Sequence, residues 1–367
     1  MAEDKTKSKV QHEASDFVKD EYLIEHYEYQ TETSCSDKVK GRLRSHVQFW
    51  EEIGAYSNIL DMIKNGYKIP FYSLPSTCFQ KNNKSALQHG DFVGKAIAEL
   101  LDDGLIEECS EVPYIVNPLT VSVQSNGKNR LILDLRCVNL HVLKQSVKYE
   151  DMRTALMYVK ENSFMFSFDL HAAYHHIEMF YPLTEFLGFS WIVGGEQKFF
   201  KFLVLPFGLK SAPYIFTKIT RPLIKKWRGD RKRVVMYLDD GIGFDQTFES
   251  AMAISKSVQS DLRSSGFVIN ERKSIWNPFQ CLDWLGYSID TVRFVLTVSD
   301  RRIDKVRETG REIIAVLVSN KTIQVRKVAS FVGQIISMSM VIGSVCQLMT
   351  RCLSINIYWR PVRGMLT

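Results

Sequence analysis

No two of the seven cysteines stand in a Cys-x-x-Cys pair, and their number is odd. A disulfide framework and a zinc knuckle are thereby excluded. Reduced, buried thiols are expected at Cys35, Cys78, Cys109, Cys137, Cys281, Cys346 and Cys352. The first twenty residues carry charges throughout and lack an apolar run. No signal peptide is expected, so the location is intracellular (cytoplasmic or nuclear) rather than secreted. Internal repeats and low-complexity tracts are absent. With 45% hydrophobic and 24% charged residues, the chain is neither disordered nor collagen-like. Its 367 residues suit two or three domains, or one with large appendages, and are too few for a multi-enzyme polyprotein.

Charge is missing from one stretch: Val328 to Thr350 holds no Asp, Glu, Lys or Arg over 23 residues, enough to span a bilayer. Gln334, Ser337, Ser339, Ser344 and Gln347 interrupt it, however, and favour a buried helix pair with no membrane partner. Elsewhere charge is abundant and uneven. The net charge is +6, yet residues 1–30 hold eight acids and four lysines. Residues 301–367 hold eleven Lys/Arg against Asp304, Glu308 and Glu312, and Arg221 to Arg233 holds seven against one Asp. A basic body of this kind suits a polyanionic partner.

Residues 1–40 are polar and read as frayed. His46 to Ile63 has helical apolar spacing around Phe49, Trp50, Ile53, Ile59 and Ile63, ending at Asn65-Gly66. A second amphipathic helix is predicted from Asp91 to Leu105. The period then changes to two: Leu119 to Val123 alternates, Asn126-Gly127 is a turn signal, and Asn129 to Leu135 alternates back. Ser163 to Phe168 is an apolar strand ending in Asp169, and Ala172 to Met179 reads as a helix. Strands are expected at Trp191 to Val193 and Glu196 to Leu203. Leu205 to Pro213 is a loop entering a helix over Tyr214 to Lys226. Val234 to Phe244 reads as a hairpin with Asp239-Asp240 at its turn, followed by a helix over Phe248 to Ser264. Short strands are expected over 284–298, and helices from Asp300 onward.

Two strand ends therefore deliver acids: Asp169, and Asp239-Asp240 seventy residues later. Converging carboxylates are hard oxygen ligands suited to Mg²⁺ or Mn²⁺. Two such ions about 3.5–4 Å apart activate an attacking oxygen and stabilise a leaving one. Taken alone, an Asp pair at a turn is ordinary turn chemistry, and an Asp before a helix is an ordinary cap. His171 and His175 have i,i+4 spacing but no third ligand follows. Gly241-Ile-Gly243 lacks the third glycine of a dinucleotide fingerprint.

The segments around these acids read together. Phe166-Ser-Phe-Asp-Leu-His-Ala-Ala-Tyr174, Leu205-Pro-Phe-Gly-Leu-Lys-Ser-Ala-Pro-Tyr-Ile-Phe216, Tyr237-Leu-Asp-Asp240 and Trp284-Leu-Gly-Tyr287 resemble, in order and spacing, motifs A, B, C and E of reverse transcriptases. Gly127-Lys-Asn-Arg-Leu-Ile-Leu-Asp-Leu-Arg136 resembles their fingers segment. The likeness covers roughly residues 85–340 and is greatest to retrotransposon enzymes, DIRS-like or LTR-type. In the DIRS-like group, a segment like His46 to Ile53 followed by Gly66-Tyr67 and Pro70-Phe71 precedes the fingers.

The resemblance implies an α+β right-hand polymerase with fingers, an antiparallel-sheet palm and a helical thumb. Residues 1–84 would be an N-terminal extension, 85–299 the fingers and palm with the primer grip, and 300–367 a basic thumb or connection. The implied activity is RNA-directed DNA polymerisation with two Mg²⁺ or Mn²⁺ ions, an RNA or DNA template with primer, and deoxynucleotides. Asp169, Asp239 and Asp240 would be the palm carboxylates, with the Leu170 carbonyl a further metal ligand. Tyr174 would exclude a ribose 2′-OH. Arg130, with Lys128, would clamp the triphosphate. Phe207 stands where retroviral enzymes carry glutamine and would line the nucleotide site, and Lys210 would reach template or phosphate. Lys273 would protonate pyrophosphate. Trp284, Leu285, Gly286 and Tyr287 would form the primer grip. The alternative is a domesticated or decayed copy that binds nucleic acid without synthesis. Residues 301–367 offer no acidic cluster for an RNase H, so RNA removal, integration or recombination is expected from other segments or chains.

Overall fold

The computed structural model describes residues 38–123, 127–319, 321–359 and 365–366. The chain divides into two compact units at Phe279/Gln280.

The first unit contains eleven labelled strands. They are β1 (Cys78–Phe79), β2 (Ile106–Cys109), β3 (Ile115–Asn117), β4 (Leu119–Val123), β5 (Asn129–Leu133), β6 (Phe164–Asp169), β7 (Gly188–Val193), β8 (Glu196–Phe202), β9 (Arg233–Tyr237), β10 (Asp240–Asp245) and β11 (Ile275–Phe279). A mixed five-stranded sheet has the order β1-β3-β7-β8-β2, and β4-β5 is a separate hairpin. The alternating segments form that hairpin as expected, with Leu119 opposite Leu133 and Val123 opposite Asn129. The predicted Asn126 turn position lies outside the described residues. The third sheet has the order β11-β6-β10-β9 and is antiparallel throughout. The helices Ala212–Gly229 and Phe248–Ser264 back it. The architecture is α+β.

Glycine shapes this antiparallel sheet. Gly241 lies opposite Phe168 and Gly243 opposite Phe166 across the β6/β10 ladder. A methyl group on either glycine would occupy the space of the facing phenyl ring. The two rings stack on Trp276 of β11, with Phe168 parallel to the indole at 5.6 Å and Phe166 at 6.1 Å. Phe168 also meets Trp227 edge-on at 6.1 Å. The Gly-x-Gly sequence is thus a packing device, needed because the Phe168 and Phe166 rings lie directly over the two glycines.

Residues 42–65 depart from the single helical segment expected. Three short helices occur, Arg42–Ser45, Val47–Glu52 and Ser57–Asn65. Gly54, at φ 69°, ends the second helix in the left-handed region, where glycine carries no Cβ penalty. The break lets Trp50 bury completely, its indole N–H donating to Ser265 O at 2.9 Å. Its ring meets Phe267 edge-on at 6.1 Å. Arg42 adds a bond from Nε to Gly266 O at 3.1 Å. This part of the N-terminal segment is integral to the first unit.

The helix expected over Ala172 to Met179 shortens to one 3₁₀ turn, Ala173–His176. Beyond it the backbone bonds elsewhere: Met179 N–H donates to Leu203 O at 2.8 Å, and Leu205 N–H to Ile177 O at 2.8 Å. Those groups cannot also serve a helix.

In the second unit, β12 (Cys281–Trp284), β13 (Tyr287–Asp290) and β14 (Val295–Val298) form a three-stranded sheet. The helices Asp300–Val318, Val325–Ile336 and Val345–Trp359 follow. Among the described residues, no helix is long and apolar enough to cross a membrane. The uncharged stretch is not the fully buried helix pair expected. Val328, Val332 and Cys346 are buried, but Leu348 is 65% and Met349 76% exposed. The thiols also depart from expectation. Cys346 is buried, but Cys281 and Cys352 are exposed and the other described cysteines half-buried.

Two predictions follow from this packing. Gly243→Ala is expected to destabilise the protein by about 1–3 kcal/mol through overpacking, with partial recovery when Phe166→Leu is added. Urea unfolding of the single and double variants measures both. The second concerns His175 and His176, which are 3% and 1% exposed. Burial pulls their folded pKa values down to about 4 and about 3. The unfolded value is near 6.5, so below that pH the unfolded chain binds protons that the folded chain refuses. Stability is fully present above about pH 6.5. It should fall on acidification by up to about 1.4 kcal/mol per pH unit for each histidine, until the folded values are reached. Denaturation at pH 7.5, 6 and 5 tests this, and His175→Leu should flatten the slope.

Candidate active site

The geometry of the acids begins with strand register. Asp169 ends β6 and pairs directly with Asp240, the first residue of β10. Tyr237 pairs with Asp240, which leaves Leu238-Asp239 as a two-residue turn. Asp239 is therefore the turn acid and Asp240 already a strand residue, where the sequence placed both at the turn. Leu238 adopts φ 52° with its side chain buried, a strained conformation for a non-glycine residue. The Asp239 carbonyl accepts from Leu170 N–H at 3.1 Å, tying the turn to the end of β6. Asp169 is held from both sides: its N–H donates to Ser274 Oγ at 3.1 Å, and its carbonyl accepts from Asn270 N–H at 2.8 Å.

Two of these acids are out of water, and Asp240 is half-buried. Asp169 is 7% exposed and Asp239 4%. Burial, and then the neighbouring Asp240 and Asp169 charges, push the Asp239 carboxyl well above its ordinary range. Burial likewise pushes Asp240 up to about 6, opposed by Lys273 and by a hydrogen bond with Asp169. Lys273 is exposed on the turn that follows Asn270, and its charge lowers both carboxyls. The site is a buried cluster of like charges lacking sufficient positive charge.

That is the electrostatic setting a divalent cation relieves, and carboxylate and carbonyl oxygens are the donors Mg²⁺ prefers. Among the described residues, no group of three or more His, Cys, Asp or Glu side chains is disposed to hold a metal ion. Mg²⁺ commonly takes one or two carboxylates, completing its shell with water and substrate phosphate. Asp169, Asp239 and the Leu170 carbonyl fit that pattern. His171 and His175 do not make a metal site: His175 is buried beside Phe207, ring centroids 5.2 Å apart.

The nucleotide-site candidates gather in part. Tyr174 is 6% exposed and stacks on Phe207 at 5.1 Å. Burial, and then the Asp239 charge, raises its phenol well above the ordinary value. Lys210 is exposed, and its ammonium donates to Val142 O at 3.3 Å and Asn139 O at 3.5 Å, and its backbone N–H to Asn139 Oδ1 at 2.8 Å. It fastens the Leu205–Pro213 loop to residues 139–142, a role that the sequence did not suggest. Arg130 is buried on β5 opposite Ser122, and Lys128 is exposed before it.

In the second unit, Trp284 pairs with Tyr287, and Leu285-Gly286 forms a two-residue turn with φ 48° and 75°. Two positive φ values are the signature of a type I′ hairpin. Trp284 and Tyr287 are both buried. The Arg302 guanidinium lies 5.0 Å over the Tyr287 ring and donates to Leu285 O at 3.4 Å and Ser337 O at 3.2 Å. The Tyr287 hydroxyl also donates to Ser337 O. Sequence reasoning had no signal for Arg302, whose partners lie 15 to 35 residues away.

Residues 120–289 match the family model described as reverse transcriptase (RNA-dependent DNA polymerase). Among curated proteins, the chain is 27% identical over 202 residues to the retrovirus-related Pol polyprotein from transposon opus of Drosophila melanogaster. That match covers 54% of this chain and 19% of the polyprotein. The Tf2-3 transposon polyprotein of Schizosaccharomyces pombe is 23% identical over 249 residues, 67% of this chain and 17% of that one. The matched segment therefore spans about a fifth of these relatives. Among solved structures, the foamy viral protease-reverse transcriptase in complex with double-stranded DNA superposes with TM-score 0.60 at 16% identity, over 92% of this chain and 59% of that one. The same protein with an RNA/DNA hybrid gives TM-score 0.60 at 14% identity, over 93% and 46%. The fold is that of retroviral reverse transcriptases, and the chain carries a reverse transcriptase domain related to those of LTR-retrotransposon Pol polyproteins.

Proposed function

We propose that this chain is an RNA-directed DNA polymerase that adds deoxynucleotides to a primer 3′-OH by two-metal phosphoryl transfer. One observation carries the reading: register and turn geometry bring Asp169, Asp239 and Asp240 together, with Asp169 and Asp239 buried and the Asp239 carboxyl facing the charges of both neighbours, a setting that favours cations. A strand end or a turn alone has other uses. The foamy viral relatives of this fold were solved with double-stranded DNA and with an RNA/DNA hybrid, which suits a template–primer partner.

Asp169 and Asp239, with the Leu170 carbonyl, would hold the ions, and Asp240 would support them. Bound Mg²⁺ or Mn²⁺ would supply Lewis-acid activation of the attacking hydroxyl and charge neutralisation at the leaving phosphate. Tyr174, held by its stack on Phe207, would bar a ribose 2′-OH from the sugar site. Lys273, whose charge already reaches Asp239 and Asp240, would donate a proton to departing pyrophosphate. Arg130 would bind the triphosphate, a task suited to a guanidinium fork. Trp284 to Tyr287 would hold the primer terminus, their hairpin stiffened by Arg302.

Primer extension on poly(rA)/oligo(dT) with Mg²⁺ tests the reading. The wild type should incorporate dTTP, and Asp239→Asn should lose more than the about 10–100-fold that follows loss of an outer-shell partner. Equally low incorporation by both would leave a nucleic-acid-binding domain without chemistry. A second measurement addresses sugar selection. Tyr174→Ala should raise the ratio of ribo- to deoxynucleotide incorporation by about 10–100-fold, the range that steric pocket contacts supply.

A further inference from the structure

The basic run Arg221 to Arg233 divides by function in the folded chain. Lys226 pairs with Asp261 at 2.9 Å, Arg228 with Glu150 at 2.7 Å and Lys232 with Asp230 at 3.0 Å. Arg221 and Lys225 are not spent this way. They continue a stripe that starts upstream on the helix Ala212–Gly229: Tyr214, Lys218, Arg221 and Lys225. At 3.6 residues per turn these four positions fall within an arc of about 60°. The opposite face, with Ile215, Phe216, Ile219, Leu223 and Trp227, is buried. Among the described residues, none of the three cations on the stripe has a carboxylate partner.

An aromatic ring flanks the row of cations at each end. The Lys218 ammonium lies 5.1 Å over Tyr214, and that of Lys225 lies 5.4 Å over Tyr56, which is 62% exposed. Of the nearby acids, Asp230 is taken by Lys232 and Lys226. A row of cations flanked by tyrosines offers phosphate contacts and stacking platforms together, the combination by which proteins hold single-stranded nucleic acid without reading its sequence. A merely solvated helix face needs no exposed tyrosine at its end.

We propose that the stripe Tyr214–Lys218–Arg221–Lys225 with Tyr56 is a binding track for a single-stranded nucleic acid, separate from the carboxylate cluster. The cations rise about 4.5 and 6 Å apart along the helix axis, so successive phosphates of one extended strand can each meet a charge. Tyr214 lies seven residues after Phe207 on the same polypeptide segment.

The test is fluorescence anisotropy with labelled oligo(dT) of 20 nucleotides, in EDTA and without nucleotide, so that the result does not depend on incorporation. Combined Lys218→Gln, Arg221→Gln and Lys225→Gln should weaken binding and reduce the slope of log K against log[salt] by about 2, as three lost single-strand phosphate contacts require. Tyr56→Ala should weaken oligo(dT) binding by about 5–100-fold while leaving the salt slope unchanged, the mark of lost stacking. Circular dichroism of each variant confirms folding, which these outward-facing positions should preserve. Unchanged affinity and slope in the triple variant would overturn the proposal. So would equal losses by Tyr56→Ala for oligo(dT) and for a blunt duplex, because stacked bases are not available in a duplex.

Discussion

The register of β6 against β10 is the constraint on which the site rests. Side chains alternate across a strand, so a slip of one residue would turn Phe166 and Phe168 to the other face and separate Asp169 from Asp240. Glycine at 241 and 243 removes the alternative: the phenyl rings fill the space where side chains would stand, and Trp276 closes over them. The energy of this aromatic packing is set against the burial of Asp169 and Asp239 and the neighbouring charges on Asp239, next to the same ladder. Stability and chemistry are coupled here through a single pair of strands.

The same principle extends behind the first acid. Phe267 meets Trp50, His176 and Phe216 at 5.1–6.1 Å. Val268 N–H donates to His176 Nε2 at 3.0 Å, which requires the ring to be neutral at that nitrogen. The N-terminal helices, the turn after Phe248–Ser264 and the 3₁₀ turn carrying Tyr174 thus converge on one ring. An extension that looked accessory in sequence supports the segment that follows Asp169.

Much was legible from pattern. The β4/β5 hairpin, the apolar strand ending in Asp169, the Val234–Phe244 hairpin and the helices near 91–105 and 248–264 occur close to their predicted places. In these segments local periodicity and tertiary demand agree. The failures have physical causes too. The helix predicted over 172–179 gave way because its backbone groups bond to residues 203–205 and to neighbouring strands. The helix predicted over 46–63 broke at Gly54 so that Trp50 could reach Ser265. A contact that the pattern did not foretell is that of the Lys210 ammonium with the carbonyls of Asn139 and Val142, some 70 residues away.

Sequence alone determined which residues could do chemistry and in what order they come, because motif identity and spacing are properties of the chain. It identified Asp169, Asp239, Asp240 and Tyr174 as members of one pattern. Only the tertiary structure decided their state. Burial raises the carboxyls of Asp239 and Asp240, neighbouring acid charges raise Asp239 further, and Tyr174 stacks on Phe207. It also decided which basic residues remain unneutralised, separating Arg221 and Lys225 from Lys226, Arg228 and Lys232. Desolvation and ion pairing depend on neighbours brought from far along the chain, and no local pattern encodes those distances.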